Sequence, residues 1–316
     1  MIYSVRHVTK FRYKPAVRES VMEVRMQPRS EGNQRCLSFD VGVTPTVTLM
    51  HYRDFLGNVV HHFDIAASHS ELTLKAQSLV EVLPIPEPEI GDAGTWDDLD
   101  ALVAGDGPYE MLQPSAFARP TPRLDELARE NKIDRRATPL QMLFDINQGI
   151  HDNFEYAPNS TKVDSPIDDA LSVRKGVCQD FAHIMIALVR KLQVPCRYVS
   201  GYLFHGEGDQ SLASEGASHA WVEALLPKLG WVGFDPTNNL LCGERHIRVA
   251  IGRDYAEVPP TRGVYKGGAE SELSVSVTVA LSDAPAPEDV APLMVLRRTR
   301  PPVEEVQRTS QEQQQQ

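Results

Sequence analysis

Arg174-Lys175-Gly176-Val177-Cys178-Gln179-Asp180-Phe181-Ala182-His183 runs without a break into an apolar segment of helical period. Phe181, Ile184, Met185, Leu188, Val189 and Leu192 recur at i, i+3, i+4 and i+7, which places one stripe on one face of a helix. The helix is expected to begin at Cys178, with Gly176 allowing a tight turn just before it. First-turn N–H groups of a helix lack intrahelical partners and carry a partial positive charge, a setting that favours a thiolate. Cys178 is therefore a candidate nucleophile. A cysteine taken alone is more often a packed core residue, so its reading depends on what the chain places downstream.

Two later blocks supply that context. Ser218-His219-Ala220-Trp221-Val222-Glu223-Ala224-Leu225 alternates as a strand with His219 at its start. Trp231-Val232-Gly233-Phe234-Asp235-Pro236-Thr237 is a second strand that ends at Asp235 and is stopped by proline. Pro227-Lys228-Leu229-Gly230 between them reads as a turn, so an antiparallel hairpin is expected with His219 and Asp235 near one open end. A four-residue turn puts the two side chains on opposite faces of the sheet. A bulge or a five-residue turn restores one face, and the sequence leaves both open. A cysteine, a histidine and an aspartate in that order, with the carboxylate orienting the imidazole, follow the generalised logic of a catalytic triad.

In these three blocks the sequence resembles the transglutaminase-like superfamily of papain-like thiol enzymes. The resemblance implies Cys178 as nucleophile, His219 as general base and acid, and Asp235 as the group that orients His219. It extends to about the first eighty residues and to Gly252-Arg253-Asp254-Tyr255, which look like the bacterial form that carries its own N-terminal region. The superfamily commonly places an aromatic hydrogen-bond donor upstream of the nucleophile, and Tyr156 stands at that place here. Thiol acyl transfer needs donors aimed at the oxyanion of the tetrahedral intermediate. The Cys178 backbone N–H, the Tyr156 hydroxyl and the Gln179 side chain are the candidates. The alternative for Tyr156 is a ring that caps the core with its hydroxyl in water.

Composition narrows the function classes. With 41% hydrophobic and 24% charged residues the chain is that of an ordinary globular protein, and 316 residues suffice for two domains. A formal net charge of -11 without a basic block argues against nucleic acid as a partner. No apolar run reaches the length of a membrane span, and the opening residues lack the apolar core of a signal peptide, so a cytoplasmic location is expected. Cys36, Cys178, Cys196 and Cys242 are scattered without Cys-x-x-Cys spacing. That disfavours a zinc ribbon or a disulfide framework. His61 and His62 are adjacent on a strand and face opposite ways, which disfavours a shared metal. The chemistry implied by the resemblance requires no cofactor.

The expected fold class is α+β. Residues 1–83 read as an N-terminal antiparallel β-sandwich, with turns at Lys14-Pro15, Gln27-Pro28 and Leu56-Gly57-Asn58. Residues 84–120 form a proline-rich connector with short helical turns, 121–283 the papain-like or transglutaminase-like core, and 284–316 a poorly ordered tail. Thr138-Pro139 supplies an N-cap and first-turn proline for a longer helix, and Cys196–Leu203 reads as a central strand. A glycine-rich acidic loop over 205–216 is either a lid or a solvated connection. Ser274–Ala280 is a strand expected to close the catalytic sheet.

The expected reaction is acyl transfer from an amide or peptide bond through a Cys178 thioester, on a peptide or protein substrate. Water as acceptor gives a peptidase or amidase, the reading adopted because water needs no extra specialisation. An amine acceptor gives a transglutaminase. A reading of another class is a non-catalytic binding or scaffold protein that keeps the fold, which has no need of all three residues. No nucleic acid and no membrane are expected as partners, and substrate identity and oligomeric state are left open.

Overall fold

The computed structural model describes residues 1–105, 107–206 and 217–283. The expectations for the tail and for most of the loop before His219 therefore lie outside the described residues. The fold is α+β, with a curled antiparallel sheet and a second, five-stranded sheet covered by helices. The first sheet is built from β1 (Ile2–Val24), β2 (Gln34–Thr44), β3 (Met50–Arg53), β4 (Val59–Ile65) and β5 (His69–Val82). Helices α1 (Trp96–Ala104), α2 (Pro122–Glu130) and α3 (Pro139–Asn153) follow, then β6 (Glu155–Tyr156), α4 (Ile167–Val173), β7 (Lys175–Gly176) and α5 (Cys178–Lys191). The chain continues through β8 (Cys196–Leu203), β9 (His219–Leu226), β10 (Gly230–Asp235), β11 (Leu240–Leu241) and β12 (His246–Gly252), and ends in β13 (Thr261–Lys266) and β14 (Glu270–Leu281).

The N-terminal sheet has the order β2-β5-β1-β4-β3, and β13 and β14 also pair with β1. Residues Tyr3–Lys14 of β1 run beside β14, and Ile2–Arg12 beside β5, whereas Ser20–Val24 run beside β4 and Val21–Val24 beside β13. One strand thus belongs to both halves of the sheet, which curls around Tyr13, Val17, Met22, Val24, Phe63 and Leu72. The turn expected at Lys14-Pro15 is absent, because β1 continues through it. The ladder with β5 slips between Arg12 and Val17, so Pro15, which has no N–H to donate, sits where no ladder bond is lost. β14 is a second correction: it pairs with β1 from Tyr3 to Lys14 and does not close the five-stranded sheet that carries His219.

The second sheet has the order β11-β10-β9-β8-β12. Ala220, Val222, Ala224 and Leu226 on one face of β9 join the core formed with α5. The apolar stripe read from the sequence is only part of the buried surface of α5, because every residue from Asp180 to Arg190 is buried. The helix is surrounded by α2, α3, α4 and the sheet. His183 tolerates this by accepting the Tyr255 N–H at 3.2 Å, and Arg190 by donating to Met111, Ser115, Cys196 and Arg253 oxygens.

β12 lies at the edge of the sheet, and its open backbone groups are taken by the N-terminal region. Asn58 donates to the Ile251 carbonyl at 2.8 Å and accepts the Ile251 N–H at 2.9 Å. Gln34 does the same for Arg248, at 2.8 and 2.7 Å, and the Arg29 N–H adds a bond to the Arg248 carbonyl at 3.0 Å. Two side-chain amides thus imitate a further strand and cover an edge that would otherwise pair with other chains. Beside them Glu223, 2% exposed, is held by Arg197 at 2.7 Å and Arg248 at 2.6 Å. Replacing Asn58 with Ala leaves two buried backbone groups unpaired and should cost about 2–4 kcal/mol, read as a lowered urea midpoint at constant m value. A loss under about 0.5 kcal/mol would show that water or a shift of β12 replaces the amide.

Candidate active site

Cys178 is the first residue of α5 and is half-buried. The start of the helix is fixed by Asp180, whose Oδ2 accepts the Val177 N–H at 2.9 Å and the Thr161 hydroxyl at 2.6 Å. Burial pushes the Asp180 carboxyl pKa up, and these two bonds pull against that. Gly176 serves this arrangement by its size: a Cβ there would meet the Asp180 side chain at 2.9 Å. The tight turn expected at Gly176 is thus a close approach of side chain to backbone. β6 runs parallel to β7 and sets Tyr156 beside Gly176.

The hairpin settles the question of faces. Gly230 pairs with Leu226 and Phe234 with Val222, so only residues 227–229 lie between the paired strands. The turn is one residue shorter than the four expected, and neither a bulge nor a five-residue turn is used. Gly230 makes this possible with φ at +72°, a conformation that side chains disfavour. In this register Asp235 lies opposite Trp221, so Asp235, Trp221 and His219 share a face. His219 Nε2 and Asp235 Oδ2 stand 2.8 Å apart, with 4% and 0% of the two residues exposed.

Asp235 is saturated with donors. Oδ1 accepts the Thr237 N–H at 3.0 Å and the Asn238 N–H at 3.3 Å. Oδ2 accepts Asn238 Nδ2 at 2.7 Å in addition to His219. Burial alone raises a carboxyl pKa, but the charge and hydrogen bond of His219, with those of His246, hold Asp235 well below the usual range. For His219, burial favours the neutral ring. The Asp235 charge and hydrogen bond outweigh it, and Cys178 adds in the same direction, so the pKa rises to about 10. The second ring nitrogen, Nδ1, is buried without a partner at ordinary hydrogen-bond length, and the Cys178 thiol is the further group that acts on the ring. Such contacts are often loose without substrate and tighten in the complex.

His246 was not singled out by its sequence context. It stands at the start of β12, 5% exposed, with Nε2 3.2 Å from Asp235 Oδ2. His219, Asp235 and His246 offer ligand atoms within 4.8 Å of one another, the donor set of a divalent metal. Five donors on one carboxylate already fill its roughly four lone-pair directions, so the cluster is satisfied by hydrogen bonds.

Among the oxyanion candidates, the ring of Tyr156 packs edge-on against Phe181 at 6.4 Å, beside the start of α5. Gln179 has another partner: its Nε2 donates to the Val163 carbonyl at 2.9 Å and ties the 157–166 loop to the helix. The other thiols are poor nucleophiles by environment. Burial pushes Cys36 and Cys196 up to about 11 each, and burial with the charges of Asp235 and Glu223 pushes Cys242 well above the ordinary value. Tyr255 packs on α5 and β8, its ring edge-on to Tyr198 and its N–H on His183.

The His219–Asp235 pair also makes stability depend on pH. His219 has its folded pKa above its ordinary 6.5, so its contribution is complete below pH 6.5 and is lost as the pH rises through about 10. Asp235 lies below its ordinary 3.8, so its contribution is present above that pH and is lost as the pH falls. The stability advantage of the parent chain over His219→Gln should therefore be largest near pH 6 and shrink toward pH 10, measured by urea unfolding across that range. An advantage that grows with pH would contradict the pairing.

Comparison with known proteins places the chain in a family. Residues 3–81 match the bacterial transglutaminase-like N-terminal region and residues 128–236 the transglutaminase-like superfamily. An uncharacterized protein of Mycobacterium leprae is 35% identical over 277 residues, which cover 87% of this chain and 97% of that one. A protein-glutamine gamma-glutamyltransferase of Pseudomonas aeruginosa is 34% identical over 92 residues, 28% of this chain and 14% of that one. Among solved structures, a candidate cysteine protease of Cytophaga hutchinsonii superposes with a TM-score of 0.71 at 22% identity, covering 90% of this chain and 92% of that one, a likeness of fold. With Cys178 at the head of α5 and the His219–Asp235 pair at the open end of the hairpin, the chain belongs to the transglutaminase-like superfamily, in the form that carries the bacterial N-terminal region.

Proposed function

We propose that this protein is a thiol acyl-transfer enzyme acting on amide or peptide bonds. The observation that carries the reading is the state of the His219 ring: one nitrogen is clamped by Asp235 at 2.8 Å, while the other is buried, unpartnered and influenced by Cys178. Buried ring nitrogens are usually paired, so an open one on a ring also influenced by a cysteine is suited to exchange a proton with it.

In the proposed sequence the Cys178 thiol proton already rests on His219 Nδ1, as the raised His219 pKa favours, and the thiolate sulfur bonds to the carbonyl carbon, opening the C=O bond to an oxyanion. Collapse breaks the C–N bond, and the leaving amine takes the proton from His219. An acceptor then attacks the thioester, giving up its proton through His219, and the thiol is regenerated. Asp235 fixes the ring orientation and stabilises the imidazolium throughout. The first-turn N–H groups of α5 and the Tyr156 hydroxyl are the proposed donors to the oxyanion. Gln179 is the lesser candidate, because one of its two amide N–H groups is engaged by the Val163 carbonyl.

Water is the acceptor we favour, which makes the enzyme a peptidase or amidase. Transfer to an amine requires a site that keeps water out, and the similarity to the glutamyltransferase spans only 28% of this chain. Incubation with a mixed peptide library and a primary amine, followed by mass spectrometry, separates the two. Cut peptides without amine incorporation are expected, and amine adducts without cleavage would assign the transferase. Either activity should vanish in Cys178→Ala. Tyr156→Phe should lower turnover roughly a hundredfold to a thousandfold, the effect of losing one preorganised donor, with thermal stability near that of the parent. Turnover within about threefold of the parent would return Tyr156 to a packing role.

A further inference from the structure

His246 reaches Asp235 from the far side of the sheet. β12 is separated from β10 by β8 and β9, and His246 pairs with Leu203 at the end of β8. Gly201 of β8 opens the way between them, since a Cβ there would meet the Trp221 ring at 2.5 Å and the Ile247 carbonyl at 2.2 Å. Trp221 lies in that gap, edge-on to the His246 ring at 5.2 Å. The turn before β12 fixes the tautomer. The Gly243 N–H donates to His246 Nδ1 at 3.4 Å while the His246 N–H donates to the Gly243 carbonyl at 3.1 Å. With Nδ1 accepting, the ring proton sits on Nε2, which stands 3.2 Å from Asp235 Oδ2.

We propose that His246 is a positioning residue for the thiol chemistry: its Nε2–H holds Asp235 Oδ2 in the place from which that same oxygen grips His219. The inference rests on the reading of Cys178, His219 and Asp235 given above. Oδ2 accepts both imidazoles, and the two rings differ in charge. Burial and the nearby His219 keep His246 below its ordinary pKa against the pull of Asp235, so it stays a neutral donor, while His219 is the ring that takes the proton. A donor there acts with the Thr237 and Asn238 bonds to keep the carboxylate from rotating about its bond to the chain and carrying His219 with it, which an apolar side chain could not do.

The test uses the full chain and iodoacetamide, with the alkylation rate of Cys178 followed by peptide mass spectrometry at neutral pH. His246→Phe, which keeps the ring and removes the donor, should slow alkylation about tenfold or more, the range for losing a hydrogen bond to a charged group. His246→Gln, which can donate to Asp235 and accept from Gly243, should stay within about threefold of the parent. His219→Ala and Asp235→Asn serve as references. If both slow the reaction while His246→Phe leaves it within about twofold, the positioning role is overturned and the site reading stands. If the Gln variant falls as far as the Phe variant, the donor role is overturned. If neither reference variant changes the rate, the site reading fails and the inference with it. Should the Phe variant not fold, ¹⁵N spectra of the parent imidazoles, assigned against His246→Gln, give the answer. A neutral Nε2–H tautomer between about pH 7 and pH 8 is expected, and a charged ring or the Nδ1–H tautomer there overturns the proposal. A stoichiometric divalent metal in the purified protein would make the three side chains ligands and overturn it as well.

Discussion

A carboxylate with no exposure to solvent, Asp235, sets the terms for this end of the molecule. A buried ionised group is tolerated only when hydrogen bonds replace its water. The donors come from His219 at the start of β9, His246 at the start of β12 and the turn Thr237-Asn238 that follows β10. Satisfying one side chain therefore ties together the open ends of three strands. The imidazole aligned by this carboxylate is the one that Cys178 acts on from the start of α5. A second buried carboxylate, Asp180, fixes that start by taking the Val177 N–H and the Thr161 hydroxyl. Two aspartates, one per element, thus set the relative placement of Cys178 and His219, the proposed nucleophile and base.

The parts of this arrangement with local signals were legible in the sequence. The start of α5 at Cys178 is read from a glycine and an apolar period that meet there, and the hairpin from alternation around a proline-glycine turn, whereas the part played by Asp180 shows only in the fold. The face shared by His219 and Asp235 was not legible. It depends on whether Gly230 belongs to the turn or to the strand, and one residue reverses the outcome. His246 gave no signal at all, since an isolated histidine before an apolar strand acquires meaning only when β12 folds back beside β8. The course of β1 through Pro15 and the return of β13 and β14 to β1 are hidden for the same reason. They are pairings between distant segments, and alternation shows a strand without naming its partner.

The N-terminal region contributes no member of the Cys-His-Asp set. Its visible task is to cover the β12 edge with Gln34 and Asn58 and to hold Glu223 in a buried ionic contact through Arg197 and Arg248, which Glu31 and Asn33 extend. His7 of β1 adds a buried bond to the Tyr202 hydroxyl at 2.9 Å, and burial lowers its pKa to about 4, so the contact stays neutral. Because β12 also carries His246, support of this edge and alignment of Asp235 are mechanically connected.

The central claim is that Cys178 carries an acyl group during turnover. Brief exposure of the folded protein to 4-nitrophenyl acetate, an acid quench and peptide mass spectrometry test it directly. The account predicts an acetyl group on the peptide containing Cys178, removed by hydroxylamine as a thioester should be and absent in the His219→Ala variant. Acylation of Cys36 or Cys242 ahead of Cys178, or equal labelling of Cys178 after the chain is unfolded in urea, would contradict it.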